Sequence, residues 1–351
     1  MIDALKVEEA LFRVAMRKPE HRDWGRKSKR NASSPTLSSS TTTSTTGSMG
    51  SEDRVAGWVV LRPPPAEAIV LGIAGRVSRD LHVEAVQEDG IQVIRRFSGG
   101  GTVVLGSEGH GSGDMGMVSF VMDADACVGL GEESVLSPAS IMEWSANHVY
   151  GRVFPARGND GDGIDDDGFM LRENDYVAGR VKFAGNAQSM ARRVFVHHTS
   201  FLIEPEGPIG AMERYLSLPE KRPEYRGSRG HGAFVTGLGE SGLGWVRSLD
   251  AFYDSVLDVL AEDYELEHMT GLVEAEEEAY QSGGVPVVGD PFDPEMGGCY
   301  GHLVHPDAEE GGVGVDRVLP VFRTSVLDVE GELVSDRERE DRIAARKRRG
   351  D

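Results

Sequence analysis

Three consecutive glycines, Gly99, Gly100 and Gly101, lie between two apolar stretches with the composition of strands, residues 92–97 and 102–105. Glycine loses the most backbone freedom on ordering, so such a run interrupts regular structure and makes a turn. Without side chains, the backbone there can approach a ligand closely and point its N–H groups at an anion. Arg95 and Arg96 precede the turn, with Phe97, and then Ser98, which adds a hydroxyl. Side chains alternate across a strand, so only one of the two arginines can face a ligand. The other faces solvent or a partner acid. No Gly-Lys-Ser/Thr follows, which excludes a phosphate loop of the nucleotide-triphosphatase type. Taken alone, the run is equally compatible with a plain tight turn.

Around this turn the pattern mixes helices and strands without regular alternation. Residues 1–25 begin with a helical face formed by Ala4, Val7, Leu11, Val14 and Ala15. Residues 26–53 are rich in Ser and Thr and poor in apolar residues, and the expectation is a disordered insertion. Strands are predicted over 58–61, 68–73, 92–97, 102–105, 117–122, 170–177, 180–184 and 193–203. Helices are predicted over 78–87, 137–150, 210–216 and 246–260. The fold class this implies is α+β, a mixed sheet packed by helices, with one main domain over 54–262. Residues 263–351 are acidic and Gly/Pro-rich and read as a partly disordered extension, with a possible strand over 319–327. The basic residues 346–349 read as a frayed end.

The net charge of −21 argues against nucleic acid and against an anionic membrane surface as partners. No apolar run reaches the roughly 20 residues of a membrane span. Two cysteines, Cys127 and Cys299, are too few for a disulfide framework. A reducing compartment is the default expectation, the cytoplasm first and the mitochondrion as the alternative, since no presequence is visible. A monomer is expected.

Two further groups can carry chemistry. Asn174-Asp175 precedes Gly179-Arg180-Val181-Lys182-Phe183-Ala184-Gly185-Asn186-Ala187-Gln188. Lys182 stands in an apolar strand context, where a compact cation can contact both a carboxylate and a phosphate. Asp175 can hold a metal ion or orient a nucleotide. An exposed strand lysine and a turn-forming Asn-Asp pair fit the spacing as well. His197 and His198 are adjacent on a strand and point to opposite faces, so at most one lines a site. They lack a third ligand at zinc spacing.

Together these blocks resemble a known family. IRRFSGGGTVV is similar to the Arg-Arg-x-Ser-Gly-Gly-Gly-x-Val signature of lipoate–protein ligases and lipoyltransferases. GRVKFAGNAQ resembles their Gly-Arg-Lys strand, and HHTSFLI resembles the His-His strand after it. Residues 214–229 are similar to the segment that follows. The blocks keep the family's order over roughly residues 3–240. Departures are Val181 before Lys182, Thr199 in place of the usual Gly, and Asp114-Met115-Gly116-Met117 where the family has His-Asp-x-Gly-Asn.

The resemblance implies the biotin/lipoate protein ligase catalytic fold and a two-step reaction. ATP, with Mg2+, activates lipoate or octanoate as an acyl-adenylate, and a lysine of a lipoyl-domain protein then takes the acyl group. By the same resemblance Lys182 is catalytic. Arg96, Ser98, Gly99, Gly100, Gly101, Thr102, Asn174, Asp175, Gly185, Ala187, Gln188 and His198 bind the adenylate and the acyl chain, with Asp175 near metal. The alternatives are an ATP-independent lipoyl or octanoyl transferase, whose cysteine-dependent form lacks its cysteine in the expected strands, and a catalytically silent binding protein on the same fold. Excision of residues 26–53 is expected to move the melting temperature by no more than about 2 °C. A larger drop in differential scanning calorimetry contradicts the reading of that segment.

Overall fold

The structure is a computed structural model and describes residues 2–16, 55–62, 67–106, 115–130, 135–154, 168–204, 206–239, 248–268, 299–304 and 325–349. The insertion at 26–53, the Gly-rich stretch at 107–114 and most of the acidic loop near 158–168 lie outside these residues. So does most of the possible strand at 319–327.

Period-two burial builds a large sheet. In β1 (Val55–Arg62), Val59 and Leu61 enter one core while Trp58 and Val60 enter another. β1 pairs antiparallel with β5 (Met115–Asp123), β5 with β9 (Val194–Leu202), and β9 with β8 (Val181–Ala191). β7 (Asp175–Ala178) and β6 (Phe169–Arg172) complete that side through a tight turn with Glu173 at φ 54°. On the other side β11 (Cys299–Val304) and β10 (Glu265–His268) extend the sheet to eight strands. The boundary expected at residue 262 therefore falls short of the sheet's edge.

One face of this sheet is covered by α4 (Pro138–Trp144), which runs on through Ser145–Tyr150 in π geometry, and by α7 (Leu249–Ala261). Ser137 and Ser140 close a capping box at the start of α4, and Ser248 caps α7. α7 buries Leu249, Phe252, Tyr253, Val256 and Leu260, the face predicted from their spacing. Between these helices and the sheet lies an aromatic core. Phe201 is fully buried, its ring 4.6 Å from Phe252 and 5.1 Å from Tyr150, centroid to centroid. On the opposite face, α1 (Ile2–Ala15) packs Leu11, Phe12 and Ala15 on Trp58, Val60, Phe97 and Val196.

A smaller sheet stands against the large one. β2 (Ala68–Leu71) pairs parallel with β3 (Val93–Arg95) and antiparallel with β4 (Val103–Leu105). Short helices α2 (Val77–Asp80) and α3 (Val83–Asp89), with α5 (Glu206–Tyr215), pack on its outer face. Its inner face meets Met115, Met117, Val177 and Leu202 of the large sheet and Phe234 of the short helix α6 (His231–Phe234).

The C-terminal segment departs from expectation. β12 (Ser325–Val326) pairs with β3, and α8 (Val329–Arg349) follows it. Arg95 bonds Glu332 at 2.7 Å and Ser78 Oγ donates to Asp336 at 2.7 Å. Leu327, Val329 and Leu333 pack on the core beneath the small sheet, but the helix beyond them is strongly polar and carries no long apolar stripe for sequence reading to find. The run 346–349, read as a frayed end, continues this helix to Arg349.

Replacing Phe201 by Ala is expected to cost about 3–5 kcal/mol in urea denaturation. A cost under about 1 kcal/mol contradicts the aromatic core described here.

Candidate active site between the two sheets

A cavity of about 610 Å³ opens between the small and the large sheet. One wall is the end of the glycine turn, Gly100, Gly101 and Thr102, and the other is β8 with Lys182 and Gly185.

Backbone hydrogen bonds fix the turn. Gly99 N–H donates to the Gln188 carbonyl at 2.8 Å, and Gln188 N–H returns to the Gly99 carbonyl at 3.3 Å. The two sheets are thus zipped together at the glycine run. Gly100 has φ +115°, and a Cβ there would stand 2.9 Å from the Asn186 carbonyl oxygen. No other residue fits that approach.

Arg96 does not face the cavity. It is buried behind the turn and donates to the carbonyls of Val70 at 3.2 Å, Gly99 at 3.2 Å and Gly101 at 2.7 Å. Loss of hydration pushes its guanidinium down to about 10, still a cation at neutral pH. Arg95 turns to the partner acid Glu332 and to the Gly75 carbonyl at 2.6 Å. Neither arginine lines the cavity: Arg96 supplies donors to the exposed carbonyls of the glycine turn, and Arg95 is held by Glu332 and Gly75. Ser98 is fully buried.

On the other wall a bulge aims the lysine. The register of β7 on β8 slips between Tyr176 and Val177, where β8 carries one extra residue. A bulge re-aims side chains. Phe183 enters the aromatic core, while Lys182 and Gly185, three residues apart, both line the cavity. The ammonium of Lys182 pairs with Asp175 Oδ1, and Asp175 Oδ2 accepts from Tyr225 at 2.8 Å. Burial, with the charge of Asp175, pushes the Tyr225 phenol well up, so it stays a donor. Asn174 contributes its carbonyl to Asn186 Nδ2 at 3.2 Å, and Asn186 accepts from Thr199 at 3.0 Å. The hydroxyl of Thr199, where the family has Gly, is absorbed by that chain.

Asp175 was expected near metal. Both its carboxylate oxygens are engaged, and among the described residues no group of three His, Cys, Asp or Glu is placed to hold an ion. This donor set does not fit a protein-held divalent cation.

The remaining expected residues lie close to the site without lining the cavity. A Cβ at Gly100 would also stand 3.0 Å from Ala187 Cα, and the Gln188 side chain bonds His197 at 3.1 Å. His198 is buried on the α1 side, with Nδ1 2.6 Å from Glu8, and Ser119 also donates to Glu8 at 2.8 Å. His197 is fully buried, with Nε2 3.0 Å from the Tyr176 hydroxyl, and burial pushes it down to about 3, so it is neutral. Tyr225, Arg226 and His231 escaped the sequence reading. Arg222, Arg226 and Arg229 around the turn at Gly227 were the available signal, in a segment singled out only as a block.

Residues 59–261 match the family described as lipoyl protein ligase A/B catalytic domain, and the chain belongs to that family. An inactive lipoate–protein ligase 2 of Plasmodium falciparum is 26% identical over 194 residues, 49% of this chain and 47% of that one. The chain thus spans about half the length of this curated relative. Among solved structures, P. falciparum LipL1 in complex with lipoate is 18% identical, covering 56% of this chain and 47% of that chain, with a TM-score of 0.36. A bipartite lipoate protein ligase of Thermoplasma acidophilum, studied with its E2 lipoyl domain, is 16% identical, covering 62% and 76%, with a TM-score of 0.43.

Gly100→Ala is expected to lower stability by about 1–3 kcal/mol, through a strained φ and the clash with β8. An unchanged urea midpoint contradicts the close approach of turn and strand.

Proposed function

We propose that the chain is a lipoate–protein ligase-type enzyme whose catalytic unit is built on residues 54–262, extended by β10 and β11 and with α1 docked on it. The observation that carries this reading is Lys182, held on the cavity wall by Asp175 and facing the glycine turn across the gap. In the first step a carboxylate oxygen of lipoate, or octanoate, attacks the α-phosphorus of ATP. A C(O)–O–P bond forms and the bond to pyrophosphate breaks. In the second step the uncharged amine of a lipoyl-domain lysine attacks the acyl carbon, expels AMP, and loses a proton as the amide forms. Both transition states gather negative charge between carbonyl and α-phosphate, where a fixed ammonium stabilises them most. Asp175 orients the ammonium, and Tyr225 orients Asp175. Magnesium enters this reading only as the counter-ion of ATP.

A thioester route through cysteine is not supported. Cys127 is buried away from the cavity, and burial pushes its thiol well up, which keeps it protonated and inert. Cys299 lies on β11, four strands from β8 in the sheet order.

A second reading has an observation of its own. The Plasmodium relative is called inactive, and here Arg96 braces the turn rather than the cavity. On this reading the chain binds acyl-adenylate or a partner without forming the mixed anhydride.

The test uses purified chain, ATP, lipoate and a lipoyl domain, with acyl transfer followed by intact mass. Lys182→Ala is expected to fold and to lose about 100-fold in rate, equivalent to about 3 kcal/mol at the transition state. Lys182→Arg recovers only part, because a planar fork cannot occupy the position of a point charge. Cys127→Ser keeps wild-type turnover. A folded Lys182→Ala variant with wild-type rate sinks the assignment of Lys182, and a trapped acyl-thioester on Cys127 restores the transferase route.

A further inference from the structure

The charges on the cavity wall do not cancel. Lys182 is matched by Asp175, and Arg79 by Asp80 at 2.6 and 2.9 Å. What remains on the lining is Glu220 and Lys221, both exposed, and Arg226. Arg226 is only 5% exposed. Its Nε donates to the Arg229 carbonyl at 3.1 Å, and its guanidinium lies 4.5 Å from the centre of the Phe234 ring. Its Nη2 is sealed from water and has no acceptor among the described residues. The carboxylate whose field favours its charge, Asp175, already serves Lys182 and Tyr225. Arg222 and Arg229 add like charge.

His231 stands on the same lining with Nε2 also sealed and without a partner among the described residues. Burial, with the charge of Arg226, holds this imidazole below its usual range. Buried polar groups in folded proteins find partners, and a buried cation without one is costly. A guanidinium fork of this kind matches the oxygens of a phosphate group.

We propose that Arg226, with His231, forms an oxyanion subsite that takes the terminal phosphates of a nucleoside triphosphate or the pyrophosphate released from it. This subsite is distinct from Lys182, whose charge is already committed to Asp175 and to the acyl-phosphate junction. The choice of a nucleotide as the source of the anion rests on the ligase reading. The existence of the subsite does not, because anion binding is measurable without turnover.

The experiment is calorimetric titration of the full chain with sodium pyrophosphate, and separately with orthophosphate and with octanoate, alongside melting temperatures. Wild type is expected to bind pyrophosphate saturably and to melt higher in its presence. Arg226→Met removes a buried cation for a side chain of similar length. It is expected to melt no lower than wild type without ligand, yet to bind pyrophosphate at least tenfold more weakly. Arg226→Lys keeps the charge and loses less. Octanoate does not compete. Equal pyrophosphate affinity in wild type and Arg226→Met overturns the proposal, as does wild type that binds no pyrophosphate. Unfolding of both Arg226 variants makes the guanidinium a structural cation and likewise overturns it. Orthophosphate binding as tight as pyrophosphate replaces the diphosphate by a free phosphate site. Pyrophosphate binding without any lipoate-dependent adenylation leaves the subsite standing and removes the ligase reading, so the two failures are told apart.

Discussion

The pair of backbone hydrogen bonds between Gly99 and Gln188 is the contact on which the site depends. It joins two sheets that otherwise meet through apolar side chains. That junction requires a backbone without Cβ at Gly100, where the turn comes within van der Waals distance of Asn186 and Ala187. It also leaves the carbonyls of Gly99 and Gly101 in need of donors, and Arg96 is spent on them. One steric requirement thus accounts for the glycine run, for the burial of an arginine behind it, and for the gap that opens beyond Gly101. The cavity is the space left where two sheets are pinned at one end and diverge at the other.

Electrostatics then specialise this space. A chain with a net charge of −21 keeps a local cluster of cations on the cavity lining, of which Lys182 alone combines an acidic partner with a position facing the glycine turn. The bulge in β8 makes that position possible, since an unbroken alternation would set Lys182 and Gly185 on opposite faces. Asp175 and Tyr225 hold the ammonium in place without a metal, because both carboxylate oxygens are already engaged. The site thus sets a fixed positive charge beside a backbone surface free of side chains.

Much of this was legible in the residues. Period-two patterns located most of the strands, and the spacing of Leu249, Phe252, Tyr253, Val256 and Leu260 located α7, because apolar burial leaves a periodic trace. Lys182, Asp175 and the glycine run stood out by residue type in an unusual context. The role of Arg96 did not, since sequence gives the face of a strand residue but not whether a carbonyl or a ligand claims its donors. The docking of α8 was hidden for a related reason. Beside Val329 and Leu333 its contacts run through Glu332 and Asp336, and charged anchors look like a solvated surface. Arg226 and His231 stand in single-turn helices, Glu224–Arg226 and His231–Phe234, too short for a period to be read, and the packing of Phe234 on Tyr225 brings them to the cavity.

The central claim is that the fixed charge of Lys182 opposite the glycine turn supports formation of an acyl-adenylate in this chain. The most direct measurement is exchange of label from pyrophosphate into ATP by the purified protein, with and without lipoate. The account predicts exchange that requires lipoate, saturates with it and needs no acceptor protein. Absence of lipoate-dependent exchange from folded protein that still binds lipoate contradicts it, and leaves the cavity as a binding site on a silent ligase fold.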